Sequence, residues 1–264
     1  MILEDNIQKD EFENEEKEGK KFPVKTVIII GVALALCAAV VLLGIFVFKP
    51  MLARNSAKSL AEKGDLAEAF EKYDRIADDE KALDQKLALQ RQVIDSRSTE
   101  ELKLGKYDWL VLEERDGKAL IVTKDIISQL VYHGTLEDVT WEDCSLRAYL
   151  NGTFLNEFSA EEKARIVPTT IKNTNNPEYN VKNGKDTKDS VFLLSLEEAN
   201  LYFPDNASRA AMFQHSYGWW WLRSAGLQEN LAAIVTSDGS IAYAGSGVNY
   251  SNRGVRPAMW VEMP

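Results

Sequence analysis

Residues Gly218–Glu262 read GWWWLRSAGLQENLAAIVTSDGSIAYAGSGVNYSNRGVRPAMWVE. Three consecutive tryptophans run into Leu222-Arg223-Ser224. Two short apolar runs follow, then Asn-Ser-Gly loops, then Gly254-Val255-Arg256-Pro257. Leu231–Ser237 and Ser240–Gly245 read as strands, with Asp238-Gly239 as a two-residue hairpin turn between them. Aromatic side chains bury large areas or stack on ligands. Side chains alternate along a strand, so Trp220 is expected to point opposite to Trp219 and Trp221, with at least one side in the core.

Upstream, Tyr107–Glu113 (YDWLVLE) and Lys118–Lys124 (KALIVTK) are β-rich runs flanking Arg115-Asp116-Gly117, a second hairpin signal. Thr140 is placed to cap a helix with Glu142 and Asp143 near its positive end. Leu146, Tyr149 and Leu150 follow on one face, and Asn151-Gly152 is expected to end it. Ser159-Ala160-Glu161-Glu162 and Ser195-Leu196-Glu197-Glu198 are capping-box patterns for two further short helices. Val191–Leu194 reads as a buried strand. Thr169–Ser190 has almost no apolar residues and reads as a long surface loop, a kind that is either functional or disordered. Residues 101–264 are therefore expected to form an α+β domain with a small twisted antiparallel sheet.

The rest of the chain divides into three parts. Residues 1–25 are charged and acidic, the composition of a disordered tail. Thr26–Phe48 carries no charge and is longer than the ~20 apolar residues needed to span a bilayer. It lacks the polar face of a core helix and exceeds the ~7–15-residue apolar region of a signal peptide. A retained single-pass anchor is the reading. Lysines and arginines flank it almost equally, so the short leading tail is what favours a cytoplasmic N-terminus and an extracellular C-terminal domain. Residues 52–95 then show helical spacing: Ala53, Ala57, Leu60 and Ala61, a break at Gly64-Asp65, and Leu66, Ala69, Phe70, Tyr73 and Ile76. The cadence is tetratricopeptide-like, but one such unit is below the ~3 repeats of an independent solenoid. It reads as a stalk, or as a groove for a partner peptide.

Composition excludes several functions. The chain has 264 residues and a formal net charge of −10, against the clustered basic residues that nucleic-acid binding requires. The two cysteines, Cys37 and Cys144, fall in an apolar run and a distant polar one, which does not suit a disulfide. The two histidines, His133 and His215, are too few for a multi-His metal site. No cofactor is expected.

Several motifs taken in order carry a resemblance: Trp109-x-Val111-Leu112, Leu146-Arg147-x-x-Leu150-Asn151, Phe154, Phe158, Val191–Ser195, Trp220–Ser224 and Gly254–Ala258. As a set, over roughly Leu104 to Glu262, they resemble a family of bacterial surface domains known only as a domain of unknown function, often set behind a membrane helix and a helical stalk. More distantly, the end of the chain is similar to the C-type-lectin-like fold of formylglycine-generating enzymes and of retroelement-diversified binding proteins. That similarity implies a ligand face framed by the Trp-rich strand and the Gly-x-Arg segment. The chemistry of the wider group does not carry over. No cysteine follows Cys144 for oxidative chemistry, and the His-x-x-x-His-x-Glu cluster of the iron-dependent members is missing.

On this reading the ligand face consists of Trp220, Arg223, Asn249, Asn252 and Arg256. Guanidinium groups beside tryptophans can stack on them and fork to a carboxylate or sugar hydroxyl; alternatively both arginines are buried ties to backbone carbonyls. The Asn249–Asn252 loop lacks the carboxylates a Ca²⁺ site uses. Adjacent pairs such as Glu161-Glu162 and Glu197-Glu198 point in different directions and suit a helix start better than a glycosidase. Ser224 lacks a nucleophile-elbow context. The expected function is a non-catalytic, membrane-anchored surface protein that binds a glycan, cell-wall component or peptide. The alternatives are an assembly protein docking a partner through its helices or, with less behind it, a hydrolase.

Overall fold

The computed structural model describes residues 40–42, 44–76, 78–96 and 101–263. The expected acidic tail and most of the expected anchor, residues 26–39, lie outside these. Among the described residues, one helix, Val40–Lys63, is long and apolar enough to cross a membrane by length and composition. The chain divides into two compact units, Met1–Lys49 and Pro50–Pro264.

α1 (Lys49–Lys63) begins at the last residue of the first unit and runs into the second, where α2 (Leu66–Asp74) and α3 (Glu80–Ser96) follow. Gly64 makes the turn between α1 and α2 with φ at 83°, a conformation that side chains resist. Ala57, Ala69, Phe70, Tyr73, Ala82, Leu89 and Val93 form the buried seam of these helices. α2 and α3 pack on the domain that follows, so the helices share its compact unit instead of standing apart as a free stalk.

That domain is α+β with two five-stranded sheets, where the sequence suggested one. The first has the order β1-β2-β3-β14-β5, with β1 Glu101–Leu104, β2 Tyr107–Arg115, β3 Lys118–Thr123, β5 Ile166–Val167 and β14 Ala258–Glu262. The second has the order β12-β11-β10-β13-β4, with β4 Ser128–Gln129, β10 Trp220–Ala225, β11 Leu231–Val235, β12 Ile241–Gly247 and β13 Gly254–Val255. Pairing is antiparallel except between β10 and β13, where Trp220 lies opposite Gly254. Two small ribbons, β6 (Thr169–Ile171) with β7 (Thr187–Asp189) and β8 (Ala211–Phe213) with β9 (Ser216–Gly218), complete the strands.

The first hairpin forms as expected. Arg115 pairs with Lys118, and Asp116 and Gly117 take φ of 53° and 72°, the pair of positive values a tight hairpin turn requires. A bulge at Leu112 shifts the register between Val111 and Glu113, leaving Glu113 buried. The second hairpin has a longer turn than expected: strand pairing closes at Val235–Ile241, leaving Thr236–Ser240 as the loop.

The short helices partly depart from expectation. Both capping boxes, Ser159 with Glu162 and Ser195 with Glu198, are present, and they start α5 (Ala160–Arg165) and α6 (Leu196–Tyr202). α4 (Ser145–Tyr149), however, is capped by the Cys144 thiol, which accepts from the Arg147 amide, and not by Thr140. Nor does Asn151-Gly152 terminate the run; it continues as a wide turn through Leu150–Phe154. Asn151 is used otherwise: its amide donates to the carbonyls of Arg147 and Val191 at 3.1 and 2.8 Å, and its oxygen accepts from Ser190 N at 2.8 Å. Val191–Leu194 is fully buried but makes only an isolated bridge, Phe192 to Ala258.

Candidate functional site

β10 occupies the middle of the second sheet and is buried on both faces. Trp220 and Trp221 therefore point to opposite sides and are both interior, with indole N–H groups donating to Arg209 O at 3.2 Å and Leu130 O at 2.8 Å. Only Trp219, just before the strand, reaches solvent, at 40% exposure.

Both expected arginines are interior as well. Arg223 forks onto the Glu198 carboxylate and donates to Leu193 O at 2.8 Å and Lys172 O at 3.0 Å, tying β10 to α6 and to the 172 loop. Arg256 donates to Thr123 O at 2.7 Å, Lys124 O at 2.9 Å and Arg209 O at 3.3 Å. Its guanidinium lies 5.1 Å from the ring centres of both Trp220 and Phe203. Burial lowers the Arg256 pKa to about 10, which leaves it charged at neutral pH. The five-residue ligand face expected from the sequence is thus not assembled: Trp220, Arg223 and Arg256 are structural ties, and only Asn249 and Asn252 are on the surface. The physical reason is that β10 is a central strand, whose two faces are both covered.

The 169–190 segment likewise turns inward. Asn173, Asn176 and Asn183 are buried. Asn176 donates to Ala225 O at 2.8 Å and Tyr243 O at 3.0 Å, while Asn183 Oδ1 accepts from Ala225 N at 3.0 Å. These asparagines supply partners to backbone that the irregular β10–β11 register leaves unpaired.

What the surface does present is a different group beside the two asparagines. The Arg253 guanidinium stands 4.5 Å from the Trp219 ring centre and 5.3 Å from that of Tyr250, which is 52% exposed. Arg253 is held by Ser246 Oγ at 3.2 Å and Asn252 Oδ1 at 2.7 Å, and Trp219 Nε1 donates to Ser237 Oγ at 3.3 Å. None of the salt bridges among the described residues involves Arg253. A cation held between two aromatic faces, with amide groups at its edge, can stack on a ring and hydrogen-bond its substituents. The sequence carried the signal in the aromatic-basic interleaving of Tyr250 and Arg253 around the noted asparagines.

Residues 116–263 match the model of a family described as a domain of unknown function (DUF6273). The chain belongs to this family. No curated protein and no solved structure matches it. The family domain opens in the β2–β3 turn and contains the whole of the Trp219–Arg253–Tyr250 group, both buried arginines and the asparagine-pinned segment.

A second concavity lies where α2 meets the family domain. It encloses about 190 Å³ and is walled by Ala67 and Glu71 from the helices and by Glu113, Thr174, Glu197 and Arg223 from the other side. Tyr202 Oη donates to Glu113 at 2.6 Å, and Thr174 Oγ1 donates to Glu197 at 3.0 Å. Burial raises the carboxyl pKa values of Glu71, Glu113 and Glu197, opposed at Glu71 by Arg75 and at Glu113 by the Tyr202 hydroxyl and Arg115. Cys144, buried at the start of α4, has its thiol pushed up to about 12 by desolvation, so it is a cap and not a nucleophile.

Proposed function

We propose that this chain is a non-catalytic, membrane-anchored surface protein whose C-terminal domain binds a carbohydrate-containing ligand through Trp219, Tyr250, Arg253, Asn249 and Asn252. The observation that supports the reading best is the surface Trp219–Arg253–Tyr250 stack, whose arginine forms no ion pair with a carboxylate among the described residues. Aromatic faces suit the C–H faces of sugar rings, and the neighbouring amides suit hydroxyls and N-acyl groups. The C-type-lectin-like assignment belongs to the same reading. Small sheets, much irregular loop and a Trp-rich strand beside a Gly-x-Arg segment are consistent with it. So does the topology, with the span near the N-terminus in a bacterial membrane and the domain outside.

The test is a screen of glycans and peptidoglycan fragments against the full-length protein in detergent, repeated with Trp219→Ala and Arg253→Ala. Both side chains lie at the surface, so the variants should melt within a few degrees of wild type. Removing one stacking face should weaken binding by tenfold or more, about 1–2 kcal/mol. Binding that survives both substitutions would sink the proposed face.

One observation favours assembly as a second reading. Leu83 and Leu87, one turn apart on α3, are 40% and 39% exposed, an apolar stripe suited to a partner helix.

A further inference from the structure

The cavity between α2 and the family domain has an unbalanced charge. Most of the ionised groups on its wall have a partner: Glu198 takes Arg223, Glu113 has Arg115 at 3.5 Å, Glu71 takes Arg75, Glu68 has Lys72 at 3.7 Å, and Lys172 has Asp186 at 2.7 Å. Asp65 and Glu197 are the exceptions, and of the two only Glu197 is buried. It is only 6% exposed, its Oε1 accepts from the Thr174 hydroxyl, and no lysine or arginine among the described residues forms an ion pair with it. Its other oxygen, Oε2, has no hydrogen-bond partner, and neither does the Nε–H of Arg223 on the same wall. An orphaned buried acceptor and an orphaned buried donor each carry an uncompensated desolvation penalty that a ligand supplying the missing partner relieves. Both belong to residues lining one cavity with ~6 times the ~30 Å³ share of a water molecule.

We propose that this cavity binds a small organic ammonium ligand bearing a nearby oxygen acceptor, with Glu197 as counter-charge and Arg223 Nε–H as donor to the oxygen. The charge that remains after pairing is negative, which selects a cation over an anion. Among the described residues no three His, Cys, Asp or Glu side chains gather to hold a metal ion, which favours an organic cation over a divalent metal. An ammonium offers three donors to the carboxylate and to neighbouring hydroxyls such as Thr174. An amino alcohol, amino acid or amino sugar has the required pair of groups. Ala67 and Glu71 come from α2, so the ligand would also hold α2 against α6, coupling occupancy to the attachment of the helices. This site is separate from the Trp219 face, and neither proposal depends on the other.

The experiment uses the full-length protein in detergent with ethanolamine, glycine and D-glucosamine as probes and acetate as the anionic control. Ligand-observed NMR gives affinity, and amide hydrogen exchange gives the location. At least one amine should bind saturably and slow exchange in Leu66–Asp74 and Leu196–Tyr202. Glu197→Gln, which keeps the side-chain shape, should raise the dissociation constant tenfold or more. Ala67→Leu should do the same by filling the cavity, and Trp219→Ala should change nothing. The proposal is overturned if no amine binds at millimolar concentration, if binding survives both cavity variants, or if acetate binds equally well.

Discussion

Arg256 and Trp219 lie at opposite ends of the Gly218–Glu262 stretch, and they are residues of opposite kinds. Arg256 is 1% exposed, and its guanidinium closes three carbonyls that belong to the end of β3 and the loop after it, and to Arg209 at the end of a short helix. A lysine cannot fork to these positions, and an alanine leaves a cavity and removes all three hydrogen bonds, with Arg209 O keeping only the Trp220 indole. Arg256→Ala should therefore cost about 3–5 kcal/mol, and Arg256→Lys somewhat less, measured as a lowered urea midpoint at unchanged slope. Arg253, three residues earlier, has the same side chain and should cost under about 1 kcal/mol when truncated. The contrast separates a tie from a contact residue. If Arg256→Ala melts with wild type, its carbonyl ties are not what holds the two sheets' ends together.

At the scale of elements, what was legible in the sequence was local. The Arg115-Asp116-Gly117 turn and both capping boxes depend on residues within three positions of each other, and all formed. What could not be read depends on distant partners. Asn176 and Asn183 look like loop residues until Ala225 and Tyr243 are brought to them, and the inward turn of Glu113 depends on a bulge that no residue type announces. Alternation along β10 did separate Trp220 from Trp221, but both faces of that strand are covered, so the rule did not bring either to solvent. Gly239 belongs to the legible class, with an added reason. Its φ is 81°, and a Cβ there would lie 1.7 Å from the Asn206 carbonyl oxygen. Gly239→Ala should thus destabilise by about 2 kcal/mol or more, beyond the ~1 kcal/mol of left-handed strain alone, because backbone must move. Thermal melts of this variant beside Gly117→Ala, where a Cβ meets nothing, isolate the steric part.

For the whole molecule, the attachment of the helices to the family domain is where acidity and stability meet. Glu71 on α2, Glu197 on α6 and Glu113 on β2 all have carboxyl pKa values raised from 4.5, with burial the leading cause in each, and Glu71 and Glu197 repel one another. When the folded state holds its proton more tightly than the unfolded chain, protonation favours folding. The contribution is fully present below the unfolded value near 4.5 and is lost as pH rises through the folded values. Exposed carboxyls such as Asp205 and Asp238, lowered by hydrogen bonds to Ser208 and to Thr236 respectively, act in the opposite sense. They cancel when wild type is compared with a single variant. Glu197→Gln supplies that comparison, because the amide mimics the neutral acid and keeps the Thr174 hydrogen bond. The two proteins should melt together at pH 4, and the variant should become the more stable one as pH rises, by about 1.4 kcal/mol for each unit by which the folded pKa exceeds the unfolded one, up to neutral pH. Melting curves from pH 4 to 8 without added amine measure this. A constant offset between the two proteins would mean that the Glu197 carboxyl binds its proton equally well in the folded and unfolded chain, removing the acid sensitivity assigned to it.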